Sequence, residues 1–344
     1  MKEMKKKVTF DDIAAYTGFT KTTISRYFNH PDTLTPKNRE IISKALVDLN
    51  YQENKLAKVL AKGKTEFVGI MISSLYLHYF AELLNQILMT HNEFGFKYLV
   101  FVGDGDPEHE KQYMQELMSY QIEGLIVMTH TLPSIELSKL GIPLVSIERE
   151  DDHISSVNCD NYSGAQQAAN LLHSHNCDVY IHINTPTPEN IPAYKRILGF
   201  RDYCRENDLR HEIIVVEGDS EPLAVDRAAA VLLDQLENQY PHQKKGLFFS
   251  DDTRAHAFLN QLVRRYHCLP EDYRLVGFDN SPISREAIYP ISTVDQQIPL
   301  IAHEAVTMLV EQIESIKKGT APEKLEIRHE TVPTLIYKRN TTEY

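Results

Sequence analysis

The chain of 344 residues has little cysteine, no long apolar run and no glycine-rich fingerprint, and each shortage removes a class of function. Its four cysteines, Cys159, Cys177, Cys204 and Cys268, are scattered without a CxxC pair. That spacing suits neither a zinc site nor a disulfide framework, so reduced thiols of a cytoplasmic protein are expected. No stretch approaches the ~20 apolar residues that a membrane span requires, so no membrane partner is expected. The basic start (Lys2, Lys5, Lys6, Lys7) leads into polar sequence rather than an apolar export signal. Gly63-Lys64-Thr65 looks like the end of a phosphate loop, but Lys58 stands where its first glycine belongs. Neither a dinucleotide fingerprint nor a Gly-x-Ser-x-Gly elbow occurs, so no catalytic residue and no cofactor are assigned. His173 and His175 lie two apart on a predicted helix and point away from each other, so no metal is assigned either.

Charge is present but unevenly placed. The net charge of -12 sits badly with nucleic-acid binding until the chain is divided. Residues 1–62 carry 12 Lys and Arg against 7 Asp and Glu, a balance of +5, while the remainder carries 24 against 41, a balance of -17. A basic segment on an acidic body is the electrostatic footprint of a DNA-contacting headpiece.

Within that segment Thr9 and Asp12 stand at capping-box spacing ahead of an apolar pair, Ile13 and Ala14. Gly18 supplies a turn, and Thr20 to Asn29 reads as a second short helix with a polar and basic face. Ile13 and Ala14 are expected to pack on Ile24 and Phe28. This is a helix-turn-helix pattern. Thr35-Pro36 opens a third helix carrying Ile41, Ile42, Ala45, Leu46 and Leu49 at helical spacing. The ordered set Asp12, Ile13, Ala14, Gly18, Thr23, Ser25, Arg26, Asn29, Arg39, Leu49-Asn50-Tyr51, Asn54, Ala57 and Leu60 resembles the headpiece and hinge helix of the lactose-repressor/galactose-repressor family of transcription regulators.

From Glu66 onward short apolar runs alternate with helical segments, the pattern of parallel sheets with covered faces. Two such series, divided near Asp160, predict two lobes. The expected fold is therefore an all-α helix-turn-helix headpiece followed by an α/β two-lobed body with parallel sheets, and the resemblance implies a periplasmic-binding-protein-like body. The boundaries expected are headpiece 1–53, hinge helix and linker 54–64, and effector-binding and dimerisation body 65–344. Lobe 1 takes about 65–160 and 291–322, and lobe 2 about 161–290 and 323–340. No leucine-heptad extension follows Tyr337, so a homodimer is expected.

The resemblance implies Lys21, Thr22 and Arg26 as major-groove readers, with Thr20, Thr23, Ser25 and Asn29 meeting phosphates. It also implies a hinge in which Lys55 and Lys58 face phosphates while Ala57 and Leu60 enter the minor groove, the leucine as a wedge. Glu53 stands where the family commonly has proline. Ser73, Leu77, Tyr79, Glu148, Asp160, Arg196, Asp251 and Asp279 fall at strand ends or crossings, where open α/β sheets hold ligands. Arg196 opens the family's Arg-x-x-Gly-Phe pattern. Carboxylates and a planar guanidinium engage neighbouring hydroxyls in pairs, the chemistry a sugar needs, and an aromatic ring covers its apolar face. The function expected is a repressor of a carbohydrate-utilisation operon, bound to a double-stranded operator and released by a sugar. The alternative is a corepressed or phosphoprotein-assisted regulator of nucleotide or global carbon metabolism.

Overall fold

The computed structural model describes residues 8–51, 65–216 and 221–343, and the chain divides into two units, residues 1–64 and 65–344. In the first unit Thr9 caps α1 (Phe10–Thr17), and its backbone N–H donates to Asp12, completing the capping box. Gly18 ends α1 in the left-handed region (φ 72), which admits glycine without strain. Thr20 caps α2 (Lys21–Asn29), and Thr35 with Pro36 starts α3 (Pro36–Asp48). Ile13, Ile24, Leu34, Ile42 and Ala45 form the core. A core this small is roofed by aromatics: Phe10 stacks on Phe28 at 5.1 Å, and Tyr51 leans on both. Ile41, expected on the apolar face of α3, is instead 39% exposed.

The second unit contains two six-stranded sheets among its described residues. The first holds β1 (Phe67–Ile72), β2 (Lys97–Val102), β3 (Gly124–Met128), β4 (Leu144–Ile147), β5 (Ser155–Cys159) and β11 (His329–Val332), all parallel in the order β11-β5-β4-β3-β1-β2. The second holds β6 (Val179–Asn184), β7 (His211–Val215), β8 (Lys245–Phe249), β9 (Tyr273–Asp279), β10 (Ser292–Asp295) and β12 (Leu335–Tyr337), in the order β12-β10-β9-β8-β6-β7. Only the β10–β12 pair of this sheet is antiparallel. Helices α4 (His78–Met89), α5 (Pro107–Ser119) and α10 (Ile298–Lys317) belong with the first sheet. The second is flanked by α6 (Asn161–His173), α7 (Lys195–Glu206), α8 (Pro222–Gln239) and α9 (Asp252–Tyr266). No described helix is long and apolar enough to cross a membrane.

The chain passes between lobes three times, and two passages differ from expectation. One lies near Gln296–Gln297 instead of 290, because Ser292–Asp295 pairs with β9 in the second sheet. That strand is too polar to read as one. It is buried nonetheless, because Ser292 bonds Thr342 and Arg339 while Thr293 donates to Asp252. The other lies at Pro333–Thr334 instead of 322, since β11 joins the first sheet and only β12 joins the second. Pro333 has no N–H to continue a ladder, which suits the break. The passages are tied together: Asp160 N–H donates to Val332 O at 2.8 Å, and Gln297 Nε2 to Pro333 O at 2.7 Å.

Candidate functional site

The helical unit offers one polar face. Lys21, Thr22 and Arg26 are exposed on α2, as are Thr20 and Asn29 at its two ends. Thr20 and Thr23 share a hydroxyl contact at 2.9 Å, and Asn29 donates to the Ser25 carbonyl at 3.0 Å. Thr23 N–H also donates to the Thr20 hydroxyl, so the two helix ends are capped while Thr22 and Arg26 remain exposed. Lys21 is tethered by an ion pair to Asp11 at 2.9 Å, exposed on both sides and therefore worth little. The hinge candidates Lys55, Ala57, Lys58 and Leu60 lie outside the described residues.

Between the lobes of the second unit lies a cleft of ≈ 850 Å³. Leu77, Tyr79, Glu148, Arg196, Asp251 and Asp279 line it; Ser73 and Asp160 are not among its lining residues. Asp160 instead caps α6 by accepting from Ser163 N–H. Glu148 follows β4 with φ 63, and Asp279 ends β9 with φ 114. Backbone in these sparsely populated regions costs roughly 1–3 kcal/mol per residue and is retained where surroundings hold it. Both carboxylates thereby reach the cleft wall.

Arg196 owes its place to a glycine. A Cβ on Gly199 would lie 2.2 Å from the Tyr162 carbonyl oxygen, so only glycine lets α7 approach α6 this closely. That is the physical content of the Arg-x-x-Gly-Phe pattern. Buried in the first turn of α7, Arg196 donates from Nε to Asn161 Oδ1 and from a terminal nitrogen to Ser250 O, both at 2.6 Å. Its guanidinium lies 3.8 Å from the Phe278 ring centroid. Burial alone would lower its pKa, but the charges of Glu148 and Asp279 outweigh that and raise it. The cation is fixed and permanent.

Asp279 accepts from Gln296 Nε2 at 2.6 Å, while burial first and the nearby Asp252 charge second push its pKa well up. Gly277 has a matching role to Gly199: a Cβ there would meet Asp252 Oδ1 at 2.2 Å. Asp252 itself is a buried brace, accepting from Ser281 N–H and from the Thr293 and Ser281 hydroxyls. Asp251 caps α9 through Arg254 N–H and pairs with the Arg254 side chain. Burial would raise the Asp251 carboxyl, but Arg254 and the Ser250 hydroxyl hold it below its ordinary value.

Four buried polar atoms of the lining residues have no hydrogen-bond partner: the Tyr79 hydroxyl, Glu148 Oε1, Asn184 Nδ2 and Gln296 Oε1. Leaving such groups unmet costs about 1–3 kcal/mol each, so a wall carrying four of them is built for something that supplies the missing bonds. Asn184, Gln296 and the 185–193 loop were missed by sequence reasoning. Asn184 ends β6 and was open to the same strand-end argument that found Asp279, whereas Gln296 depended on a passage placed six residues early. Arg149 turns away from the cleft and clamps the backbone carbonyls of Thr129 and Leu132. Two further contacts join the lobes at the rim: His78 with the Thr253 hydroxyl, and Lys195 with Glu150 at 2.9 Å.

Comparison with known proteins bears on both units. A model described as bacterial regulatory proteins, lacI family, matches residues 9–54. One for periplasmic binding proteins and the sugar binding domain of the LacI family matches 65–251, and one for a periplasmic binding protein-like domain matches 169–342. The sucrose operon repressor of Pediococcus pentosaceus is 28% identical over 325 residues, 93% of this chain and 98% of that protein. The ribose operon repressor of Halalkalibacterium halodurans is 28% identical over 335 residues, 97% of each. Among solved structures, a Lac repressor dimer bound to operator and the anti-inducer ONPF shares the fold with a TM-score of 0.80 at 21% identity, covering 98% of this chain and 99% of that one.

Proposed function

The chain belongs to the LacI family of bacterial regulatory proteins, and from that premise we propose that it is a cytoplasmic, dimeric repressor of a carbohydrate-utilisation operon, released from a pseudo-palindromic operator by a sugar held between its lobes. The observation that carries this reading is the set of unpaired buried polar atoms around Arg196 and Asp279 in the interlobe cleft. A sugar hydroxyl both donates and accepts, so a polyol can satisfy Glu148, Gln296, Asn184 and Tyr79 together. The relatives agree in name: sucrose and ribose operon repressors, and a CelR regulator solved with cellobiose. The reading assigns the cleft to binding and not to catalysis.

On the DNA side Arg26 and Lys21 donate to guanine acceptors in the major groove, Thr22 contacts a thymine methyl or base edge, and Thr20, Thr23, Ser25 and Asn29 meet phosphates. The family resemblance supplies a hinge role for residues 54–64, which lie outside the described residues, with Lys55 and Lys58 proposed for phosphates and Ala57 and Leu60 for the minor groove. Ligand in the cleft draws the lobes toward one geometry. If DNA needs the other, a coupling of about 1–3 kcal/mol changes operator affinity roughly 5–150-fold. Footprinting on the region upstream of the chain's own gene, at fixed salt and with a panel of sugars, tests the proposal. Protection of a palindrome, lost with one sugar, is expected. Protection strengthened by a ligand turns the protein into a corepressed regulator, and no sequence-selective protection under any condition sinks the reading.

A further inference from the structure

Resting on that reading, we propose that the effector is an unphosphorylated saccharide of two rings, the first held by the buried polar wall and the second lying on an apolar outer wall. The cleft has two zones. Tyr79, Glu148, Asn184, Arg196, Asp279 and Gln296 are all buried. Beyond them the loop after β6 adds Pro186, Pro188, Ile191 and Ala193, half-buried or exposed and interleaved with Thr185, Thr187 and Asn190, and Leu77 and Phe80 are half-buried in the same cleft.

Two of the four unpaired atoms bear on the question of charge. Glu148 Oε1 is an acceptor, and with Gln296 Nε2 donating to Asp279 Oδ1 the unpaired Gln296 Oε1 is a second. Both require a donor, which a sugar hydroxyl supplies and a phosphate group placed at either atom would not. The cations of the lining residues are already engaged. Arg196 commits two nitrogens to Asn161 and Ser250, and Arg254 is paired with Asp251. The Glu148 and Asp251 carboxylates share this lining with two guanidiniums that are each already bonded within the protein, so a dianion would find little positive charge to meet.

Size and polarity support a second ring. At ≈ 850 Å³ the cleft stands near the upper end of the roughly 300–1,000 Å³ of sites that enclose drug-sized ligands, far more than one pyranose fills. Proline rings and the Ile191 and Ala193 side chains present C–H surface and no hydrogen-bonding side-chain groups. A sugar ring lays its apolar face on such a surface and keeps its hydroxyl rim in water.

Calorimetric titration of the full-length protein tests this with glucose, fructose, ribose, glucose 6-phosphate and the disaccharides sucrose, maltose, cellobiose, lactose, trehalose and melibiose. One disaccharide is expected to bind at least about tenfold more tightly than any of the monosaccharides and than glucose 6-phosphate. Ile191→Ser is expected to weaken that disaccharide by a larger factor than it weakens its component monosaccharides. Tightest binding by a monosaccharide or by glucose 6-phosphate, or binding by none of the disaccharides, overturns the proposal. A monosaccharide or sugar phosphate that binds and also releases operator DNA leaves the repressor reading standing while this one falls. A disaccharide that binds without altering the DNA footprint does the reverse.

Discussion

The two units use polar residues in opposite ways. The helical unit turns Lys21, Thr22 and Arg26 outward, over a core of five small or aliphatic residues roofed by aromatic rings. The body buries Tyr79, Glu148, Asn184, Arg196, Asp279 and Gln296, and leaves several of their polar atoms unmet. The difference follows from the partners. A nucleic acid is a long polyanion recognised through water at an open surface, and positive charge there acts over the Debye length. A small neutral ligand has no such field. It must be enclosed, and its affinity comes from desolvated bonds made inside a preformed wall. The charge balance of +5 in residues 1–62 against -17 beyond them records the same division along the chain.

The comparison breaks most clearly if one substitution disturbs both functions. Arg196→Ala removes the fixed cation and strands Asn161 Oδ1 and Ser250 O in a buried site. Saccharide affinity is expected to fall by about 100-fold or more, from the loss of charge-assisted bonds at roughly 1.5–3 kcal/mol each. Operator affinity without ligand should hold within about threefold, since α2 is untouched. Arg26→Ala is the mirror experiment. It is expected to lower operator affinity about 10- to 100-fold, the roughly 1–3 kcal/mol of one base-edge contact, and to leave the heat of saccharide binding unaltered. Equal losses in both assays for either variant would mean that the two units do not divide the labour.

A weaker effect tests the buried side alone. His182 lies on β6, stacked on Phe248 at 4.6 Å with Phe200 tilted against it at 5.5 Å, and burial lowers its pKa from 6.5 to about 3. The native state therefore refuses a proton that the unfolded chain accepts below pH 6.5. Stability from this group is intact above that pH and is lost as the pH falls from 6.5 toward 3, with a slope of up to about 1.4 kcal/mol per pH unit. His182→Phe keeps a ring in the stack, and its melting temperature should fall less between pH 7 and pH 5 than that of the parent protein. Equal pH slopes in the two proteins would locate the titration elsewhere.

Much of this was legible in the residues because the periodic signals were strong. Apolar runs at 67–72, 124–128 and 179–183 became central strands, and Thr9, Gly18, Thr20 and Pro36 bounded helices where their chemistry requires. What escaped was polar and buried. Ser292–Asp295 and His329–Val332 have too few apolar side chains to read as strands, and their places are set by partners distant in sequence: Tyr273–Asp279 and Leu335–Tyr337 for the first, and Ser155–Cys159, more than a hundred residues away, for the second. The cleft shows the same limit. Arg196 and Asp279 stood in patterned sequence, whereas Asn184 and Gln296 gain meaning only from what lies opposite them. Asp160 and Ser73 met the strand-end criterion and still miss the cleft, Asp160 because its carboxylate caps α6.

The smallest effect expected lies on the exposed side and sharpens the contrast. Lys21 forms an ion pair with Asp11 at 2.9 Å, with side chains 63% and 69% accessible. If Lys21 reads a base edge it must leave that partner, and Asp11 then adds a negative charge to a face proposed for a polyanion. The pair itself contributes little, because water and salt screen both members. Asp11→Asn frees Lys21 and removes the repulsion while Asp12 keeps the capping bond to Thr9. Operator affinity at low salt is expected to rise about threefold, measured by fluorescence anisotropy, and the gain should shrink as salt increases. A buried pair cut in this way would instead destabilise the fold by several kcal/mol, because an unmatched charge would remain inside. A gain in DNA binding without loss of melting temperature is thus the signature of a surface organised for a polyanion, and a loss of affinity would assign Asp11 a part in holding Lys21 toward the groove.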